Sequence, residues 1–337
     1  MRRKIFAVLQ YLFFLGIGIF LMWWQLSAMT PVQKVQFKDS LLHARYLVIL
    51  PVAIIALISH WGRARRWKIM IEPMGYHPST INTFYAVMCG YLANTFLPRV
   101  GEIFRCTMLG KYEKIPVNKL LGTIVGERAF DLTCYFFIVV FTVLIQINTV
   151  DDFIKNKIHE ITRQHANFPW VQLIIALAIA AVVLIILLQW LFRKYSNHRH
   201  IITVKGIYTG LKEGITTIFR LKKRGAFILW SIFIWAMYLI EIYIGFFALK
   251  ATSGLGFGAA FSVLSLATLA MLILPGGIGA FPVAIQQVLL IYNIDNISFG
   301  WLIWGATTAI IIVAGLISFG LLIYTNRNRN ETKQQNT

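Results

Sequence analysis

Apolar runs of about 20 residues recur along the whole chain: Ile5–Leu26, Val171–Leu191, Ala226–Leu249 and Phe299–Tyr324. As helices, each is long enough to cross a hydrocarbon core of roughly 30 Å. The polar stretches between them reach only about thirty residues, which leaves no room for a soluble domain. Two further apolar runs are interrupted. Ile81–Leu97 runs into "NTFLPRVGEIFR" (residues 94–105), where proline, glycine and three charges stand in otherwise apolar territory. Phe257–Leu274 runs into "LPGGIGAFP" (274–282), and Val283–Ile291 then returns. The pattern predicts an all-α integral membrane protein, residues 1–337 forming one polytopic domain.

Composition agrees. Of the 337 residues, 58% are hydrophobic and 13% are charged, with a mean hydropathy of +0.69; soluble domains carry about 25% charged residues. The N-terminal apolar run is too long for a signal peptide and has no clear small-residue cleavage site after it, so an uncleaved first span is expected. Cys89, Cys106 and Cys134 all lie in apolar segments and read as small buried residues rather than disulfides, ligands or nucleophiles.

The net charge of +19 raises nucleic acid as a partner, but its distribution excludes that reading. Of 32 Lys and Arg, 22 fall in five clusters: Arg2–Lys4, Arg63–Lys68, Lys111–Lys119, Arg193–Arg224 and Arg327–Lys333. Basic excess marks cytoplasmic loops. Both termini are therefore expected in the cytoplasm, with 326–337 as a tail, and the protein in the plasma (inner) membrane. For the nine-cation cluster to be cytoplasmic as well, the chain between His77 and Asn118 must cross an even number of times. A re-entrant hairpin with Pro98 near its tip satisfies this, and so do two short full spans. By the same logic a second hairpin, with "LPGGIGAFP" at its tip, enters from the opposite face.

The layout is six full spans plus two helical hairpins, arranged span, span, hairpin, span in each half. Three crossings per half place residues 1–150 and 165–325 in opposite orientations, so an inverted repeat is expected, an architecture that transporters use with broken helices meeting near mid-membrane. The bland alternative is a helical bundle of accidental symmetry. Thr203–Leu221 is amphipathic at helical spacing and reads as a helix resting on the cytoplasmic leaflet.

Seven charges fall inside apolar territory: Arg99, Glu102, Arg105, Glu127, Arg128, Asp131 and Glu241. Intramembrane charges are costly and are either functional or mutually paired. Arg99, Glu102 and Arg105 recur every three residues, and Glu127 and Asp131 share a helix face at i and i+4. One reading is a structural salt-bridge network joining two helices. The other rests on the hairpin tips. Pro98 suits the first turn of a returning helix, whose N-terminus would then point free N–H groups into the membrane, with Arg99 adding charge at that point. Gly276, Gly277 and Gly279 permit a second tip of exposed N–H groups that can wrap an anion. Together these predict a polar site for a phosphate-bearing molecule. The seven histidines fall in loops or at membrane edges, and no metal-ligand pattern, P-loop, dinucleotide fingerprint or catalytic motif appears. No cofactor, metal or catalytic residue is expected.

"NTFLPRVGEIFR", then "ERAFD" (127–131), then "LPGGIGAF" resemble, in that order, the lysylphosphatidylglycerol synthase/flippase membrane-domain family. The resemblance covers roughly residues 5–325. It implies a polytopic helical domain that moves lipids between leaflets, and site residues at Arg99, Gly101, Glu102, Arg105, Glu127, Arg128, Asp131, Gly276, Gly277 and Gly279. The best-understood members also carry a cytoplasmic aminoacyl-transferase domain. This sequence ends at Thr337, directly after its last span, and is expected to be a stand-alone membrane part. Members often have an acidic residue after the second glycine cluster, where this chain has Phe281 and Pro282, so their headgroup preference is not carried over.

The expected function is that of a lipid translocase. Arg99, Arg105 and the tip N–H groups would hold the headgroup, while Glu102, Glu127, Asp131 and Glu241 pair the arginines or carry protons. The partners this implies are the bilayer and a membrane lipid with an anionic headgroup, with a second copy of the chain or a lipid-synthesis enzyme as further candidates. Two other classes compete: a non-transporting partner of a lipid-modifying complex, and a membrane-embedded polyprenyl-phosphate transferase using Glu127 and Asp131.

Overall fold

The computed structural model describes residues 2–96, 100–147 and 221–335, with side chains from 15 to 326 among them. The predicted span Val171–Leu191 and all but the last residue of the predicted amphipathic helix lie outside the described residues, as do Pro98 and Arg99.

Within the described residues all regular structure is helical. Helices α1 (Arg2–Ser27) and α2 (Pro31–Leu42) come first, then α3 (Ile49–Ile71), α4 (Thr80–Phe96), α5 (Val100–Glu113) and α6 (Val117–Ile145). After residue 220 follow α7 (Arg224–Phe246), α8 (Phe257–Ile273), α9 (Ala280–Ile291) and α10 (Ser298–Gln335). The apolar runs predicted α1, α7 and α10 closely. The last helix continues through residues 327–335. The protein is a multi-pass membrane protein. Four described helical stretches are long and apolar enough to cross a membrane (46–74, 117–145, 224–246 and 298–326), or five if the pair 15–27 and 31–42, bent by 106°, is one span.

That bend has a local cause. Thr30 caps α2: its hydroxyl accepts from the Gln33 N–H, and the Gln33 side chain accepts from the Thr30 N–H in return. Pro31 stands at the first helical position, where its missing N–H costs nothing.

α4 packs along α5, and α8 along α9. These helices have 17, 14, 17 and 12 residues. At about 1.5 Å per residue none exceeds about 26 Å, short of a hydrocarbon core of roughly 30 Å. The first hairpin closes through two glycines. A Cβ on Gly101 would overlap the Gly90 carbonyl oxygen, and one on Gly90 would stand 2.9 Å from the Gly101 carbonyl oxygen. Small residues let helix backbones approach this closely in membranes.

Two of the buried apolar clusters each keep to one half of the sequence, while a third joins Ile69 and Met70 of α3 to Leu221 and Phe227. One buried cluster draws on α3, α4, α5 and α6, from Ala64 to Ile124. The other draws on the second half, from Ile242 to Ile303. The halves meet reciprocally: α3 lies against α7, α4 against α10, and α6 against α8. Polar side chains mark two of these seams. Asn82 of α4 exchanges amide hydrogen bonds with Asn326 of α10, and Thr142 of α6 lies 2.8 Å from the Ser265 hydroxyl of α8.

Candidate functional site

α3 continues without a break through "RARRWKIMI" to Ile71, because no proline or glycine follows Gly62. This corrects the reading of Arg63–Lys68 as a loop cluster. Arg63 and Arg66, one turn apart, are buried in the helix, 7% and 0% exposed. Their charges are tolerated because α6 sets two carboxylates opposite them at the same one-turn spacing. His60 is corrected in the same way: expected at a membrane edge, it is buried in α3 with its ring 4.4 Å from that of Tyr91.

Arg63 and Arg66 grip both acids. Arg63 Nη1 lies 3.3 Å from Glu127 Oε1 and 3.1 Å from Asp131 Oδ2. Arg66 Nη2 lies 3.1 Å from Glu127 Oε1, and its Nη1 lies 2.6 Å from Asp131 Oδ1. From the returning arm of the hairpin, Arg105 Nη2 reaches Glu127 Oε2 at 2.7 Å. Neutral groups complete the cage. Arg63 Nε donates to the Tyr238 hydroxyl at 2.7 Å and Arg66 Nη1 to the Ser231 hydroxyl at 3.1 Å, both on α7. The Arg105 guanidinium stacks 4.6 Å from the Trp67 ring centre, and Trp67 is fixed by its own bond to the Thr123 hydroxyl. Four helices thus converge on one buried polyion. Glu127 stands ten residues into the 29-residue α6, about 15 Å along it.

The charges do not cancel. Among the described residues three arginines face two carboxylates, a net +1. The buried Nε–H groups of Arg66 and Arg105 have no acceptor among the described residues. Every oxygen of Glu127 and Asp131, in contrast, already accepts from an arginine.

Beside the polyion a recess opens, lined by Val87, Gly90, Tyr91, Asn94, Gly101, Glu102, Arg105 and Arg128. Here Arg128 Nε pairs with Glu102 Oε1 at 2.6 Å. This pair is far less buried than the others, with side-chain exposures of 45% and 29%. The Asn94 side chain accepts from the Gly101 N–H at 2.9 Å, holding the first turn of α5 at the rim. Val100, Ile103, Val125 and Leu132 are exposed on the same two helices, so apolar surface flanks the recess.

Of the residues singled out from sequence, Glu102, Arg105, Glu127, Arg128 and Asp131 come together, with Gly101 as the helix-crossing contact beside them. Arg99 lies outside the described residues. Glu241 does not join: it is half-buried on α7 and takes part in no ion pair among the described residues. Gly276, Gly277 and Gly279 form the second tip, which packs against α1 and α4. All three have positive φ, between 60° and 71°, as glycine permits. The tip N–H groups are less free than expected. Gly277 donates to the Leu274 carbonyl and Ala280 to the Ile278 carbonyl. A Cβ on Gly277 would meet Phe281 and Met271 of its own hairpin rather than open space.

Sequence reasoning missed Arg63, Arg66, Trp67, Asn94 and Tyr238. The usable signal was the i, i+3 spacing of Arg63 and Arg66 in a stretch whose apolar pattern runs on to Ile71. Among the described residues no group of three or more His, Cys, Asp or Glu is placed to hold a metal ion. Cys89, Cys106 and Cys134 are free thiols, the first two fully buried.

Residues 9–315 match the family described as the lysylphosphatidylglycerol synthase TM region. The chain is also 26% identical over 145 residues to the UPF0104 membrane protein MJ1595 of Methanocaldococcus jannaschii. That alignment spans 42% of this chain and 40% of the relative. No solved structure matches.

Proposed function

This chain belongs to the lysylphosphatidylglycerol synthase TM-region family, and from that premise we propose that it is a lipid translocase, passing a phosphate-bearing amphiphile between leaflets. The observation that carries the proposal is the buried polyion of Arg63, Arg66, Arg105, Glu127 and Asp131, with a net positive charge, beside a recess flanked by apolar helix surface. A bundle needing only structural pairs gains nothing from an uncompensated cation, which is expensive at membrane depth. A transporter of anionic headgroups gains a receptor. The headgroup would sit at the mouth of the recess, which holds only about 10 Å³, while its tails stay along Val100, Ile103 and Val125.

The seams support the same reading. Each short hairpin meets the last helix of the opposite half, α4 with α10 and α8 with α6, as an inverted repeat with two re-entrant hairpins requires. Rocking of one half against the other would then open the recess to each face in turn. Both termini are cytoplasmic in this arrangement, and the membrane is the plasma membrane.

Purified protein in liposomes carrying fluorescent phosphatidylglycerol tests the proposal. Addition of an impermeant quencher should bleach more than the outer-leaflet half of the fluorescence. Bleaching confined to the outer half, with the protein folded, would overturn the translocase reading and favour a non-transporting partner or an enzyme.

A further inference from the structure

The two halves meet along three helix seams, and among the described residues only one of these is held by charged groups. Across α3–α7, Arg63 and Arg66, already bound to Glu127 and Asp131, donate to Tyr238 and Ser231 at 2.7 and 3.1 Å. Phe233 and Ile234 close on Gly62 in the same seam, where an added Cβ would stand 3.2 and 3.3 Å from them. Neutral side chains hold the other two seams. Asn82 and Asn326 join α4 to α10, and Thr142 and Ser265 join α6 to α8. Resting on the translocase reading above, we propose that α3–α7 is the pivot of the rocking motion, and that Asn82–Asn326 and Thr142–Ser265 are the latches of its two gates.

Position is the first argument. Asn82 is the third residue of α4, and Thr142 is the fourth from the end of α6. In the proposed topology α4 begins at the cytoplasmic face and α6 ends at the outer one. The two neutral pairs then lie at opposite ends of the membrane, where the gates of an inverted repeat have to close. α3 and α7 are the equivalent second spans of the two halves, so their seam follows the axis that relates the halves.

Cost is the second. A neutral hydrogen bond opened beside water is exchanged for bonds to water, at small net loss. Parting α3 from α7 would instead strip two buried guanidinium groups of partners, and bonds from charged donors are the stronger ones. Both latches are closed in this structure. Asn82 and Asn326 are 4% and 5% exposed and exchange amide bonds at 3.2 Å in each direction. Thr142 is 8% exposed, its hydroxyl 2.8 Å from that of Ser265.

The third argument is that the cytoplasmic latch is built into a unit. Glu113, the last residue of α5, accepts from the Asn82 side chain at 2.6 Å and from the Ser79 N–H at 3.2 Å. It ties the two ends of the first hairpin together and fixes the amide that meets α10. Farther along that seam Gly315 lets α10 close on α4, since a Cβ there would stand 2.7 Å from the Leu92 Cβ. The outer gate has the same two ingredients. Gly258 of α8 makes room for the Gln146 side chain, and the Tyr135 hydroxyl donates to the Ser265 carbonyl at 2.9 Å.

Disulfide trapping of the full-length protein in liposomes tests the proposal. In a Cys134→Ser background, Asn82→Cys/Asn326→Cys bridges one gate, Thr142→Cys/Ser265→Cys the other, and Gly62→Cys/Ile234→Cys the pivot. Flipping of fluorescent phosphatidylglycerol is compared before and after oxidation of each variant by air with copper phenanthroline, so effects of the substitutions themselves cancel. Oxidation should abolish flipping in both gate variants, with recovery in dithiothreitol, and leave the rate of the pivot variant unchanged. Flipping that survives a completed bridge at either gate, or is lost on bridging the pivot, would overturn the assignment. A second readout needs no transport. In nanodiscs, Asn326→Cys and Thr142→Cys should react with a hydrophilic maleimide about tenfold faster than Ile71→Cys and Val52→Cys, which are fully buried toward the two ends of α3, outside both gates. Fast labelling at the gates without flipping in any reduced variant would sink the translocase reading alone. Flipping with equal labelling rates at all four positions would sink this one alone.

Discussion

Arg66 and Asp131 meet at 2.6 Å in the middle of the first half, the arginine wholly buried and the aspartate nearly so. The contact joins α3 to α6 across a gap of 65 residues in sequence. It therefore reports on the fold rather than on a local helix pair. Removing one partner of a buried pair leaves an uncompensated charge and costs about 3–5 kcal/mol. Asp131→Ala, which leaves three arginines on one carboxylate, is expected to lower the melting temperature in detergent strongly, and Arg66→Ala, which removes the surplus charge, to lower it less. The double variant Arg66→Met/Asp131→Leu should recover a large part of the loss, since apolar replacement of both partners is often close to neutral.

Arg128→Ala should behave in the opposite way. Its pair with Glu102 is half exposed, and pairs of that kind contribute about 0–1 kcal/mol. Melting of this variant is expected to stay close to that of the natural protein while liposome flipping is lost. A drop in stability comparable to that of Asp131→Ala would make Arg128 a structural residue and remove it from the site.

The contrast between those two arginines shows what the sequence could and could not reveal. Apolar run lengths predict α1, α7 and α10 because a long helix in lipid needs little beyond continuous hydrophobicity. The glycines 276, 277 and 279 mark the second tip because few other residues break a helix there, while Pro98 lies outside the described residues. Glu102, Arg105, Glu127, Arg128 and Asp131 are visible as charges in apolar territory, and they do converge. Arg63 and Arg66 are not visible, since a run of basic residues next to Lys68 looks like a cytoplasmic boundary. Only the fold reveals that their counter-charges lie 61 to 68 residues further along. The role of Gly101 was equally hidden. It is set by Gly90 across the hairpin, and no pattern within α5 records that partner.

Gly101→Ala should break the hairpin crossing more severely than Gly90→Ala. The added methyl overlaps a carbonyl oxygen in the first case and stands 2.9 Å from one in the second. Overpacking a close crossing costs about 1–3 kcal/mol, and more where backbone rather than a side chain must move. Melting curves of the two variants side by side check the order. Equal stability would mean that α4 and α5 do not cross at these glycines.

Side-specific labelling tests the orientation on which the transport reading depends. Lys114 is exposed in the turn between α5 and α6, and Lys250 in the turn after α7. In the proposed topology the first hairpin starts and ends on one face, and α7 carries the chain to the other. A cysteine at position 114 should therefore react with an impermeant maleimide only from the cytoplasmic side, and one at 250 only from outside. Native Cys89 and Cys106 are fully buried and add little background, while Cys134 is half-buried and is best replaced by serine beforehand. Labelling of both engineered positions from the same side would mean that α7 does not carry the chain across. The two halves would then not be inverted, and the seams of α4 with α10 and α6 with α8 would need an explanation other than alternating access.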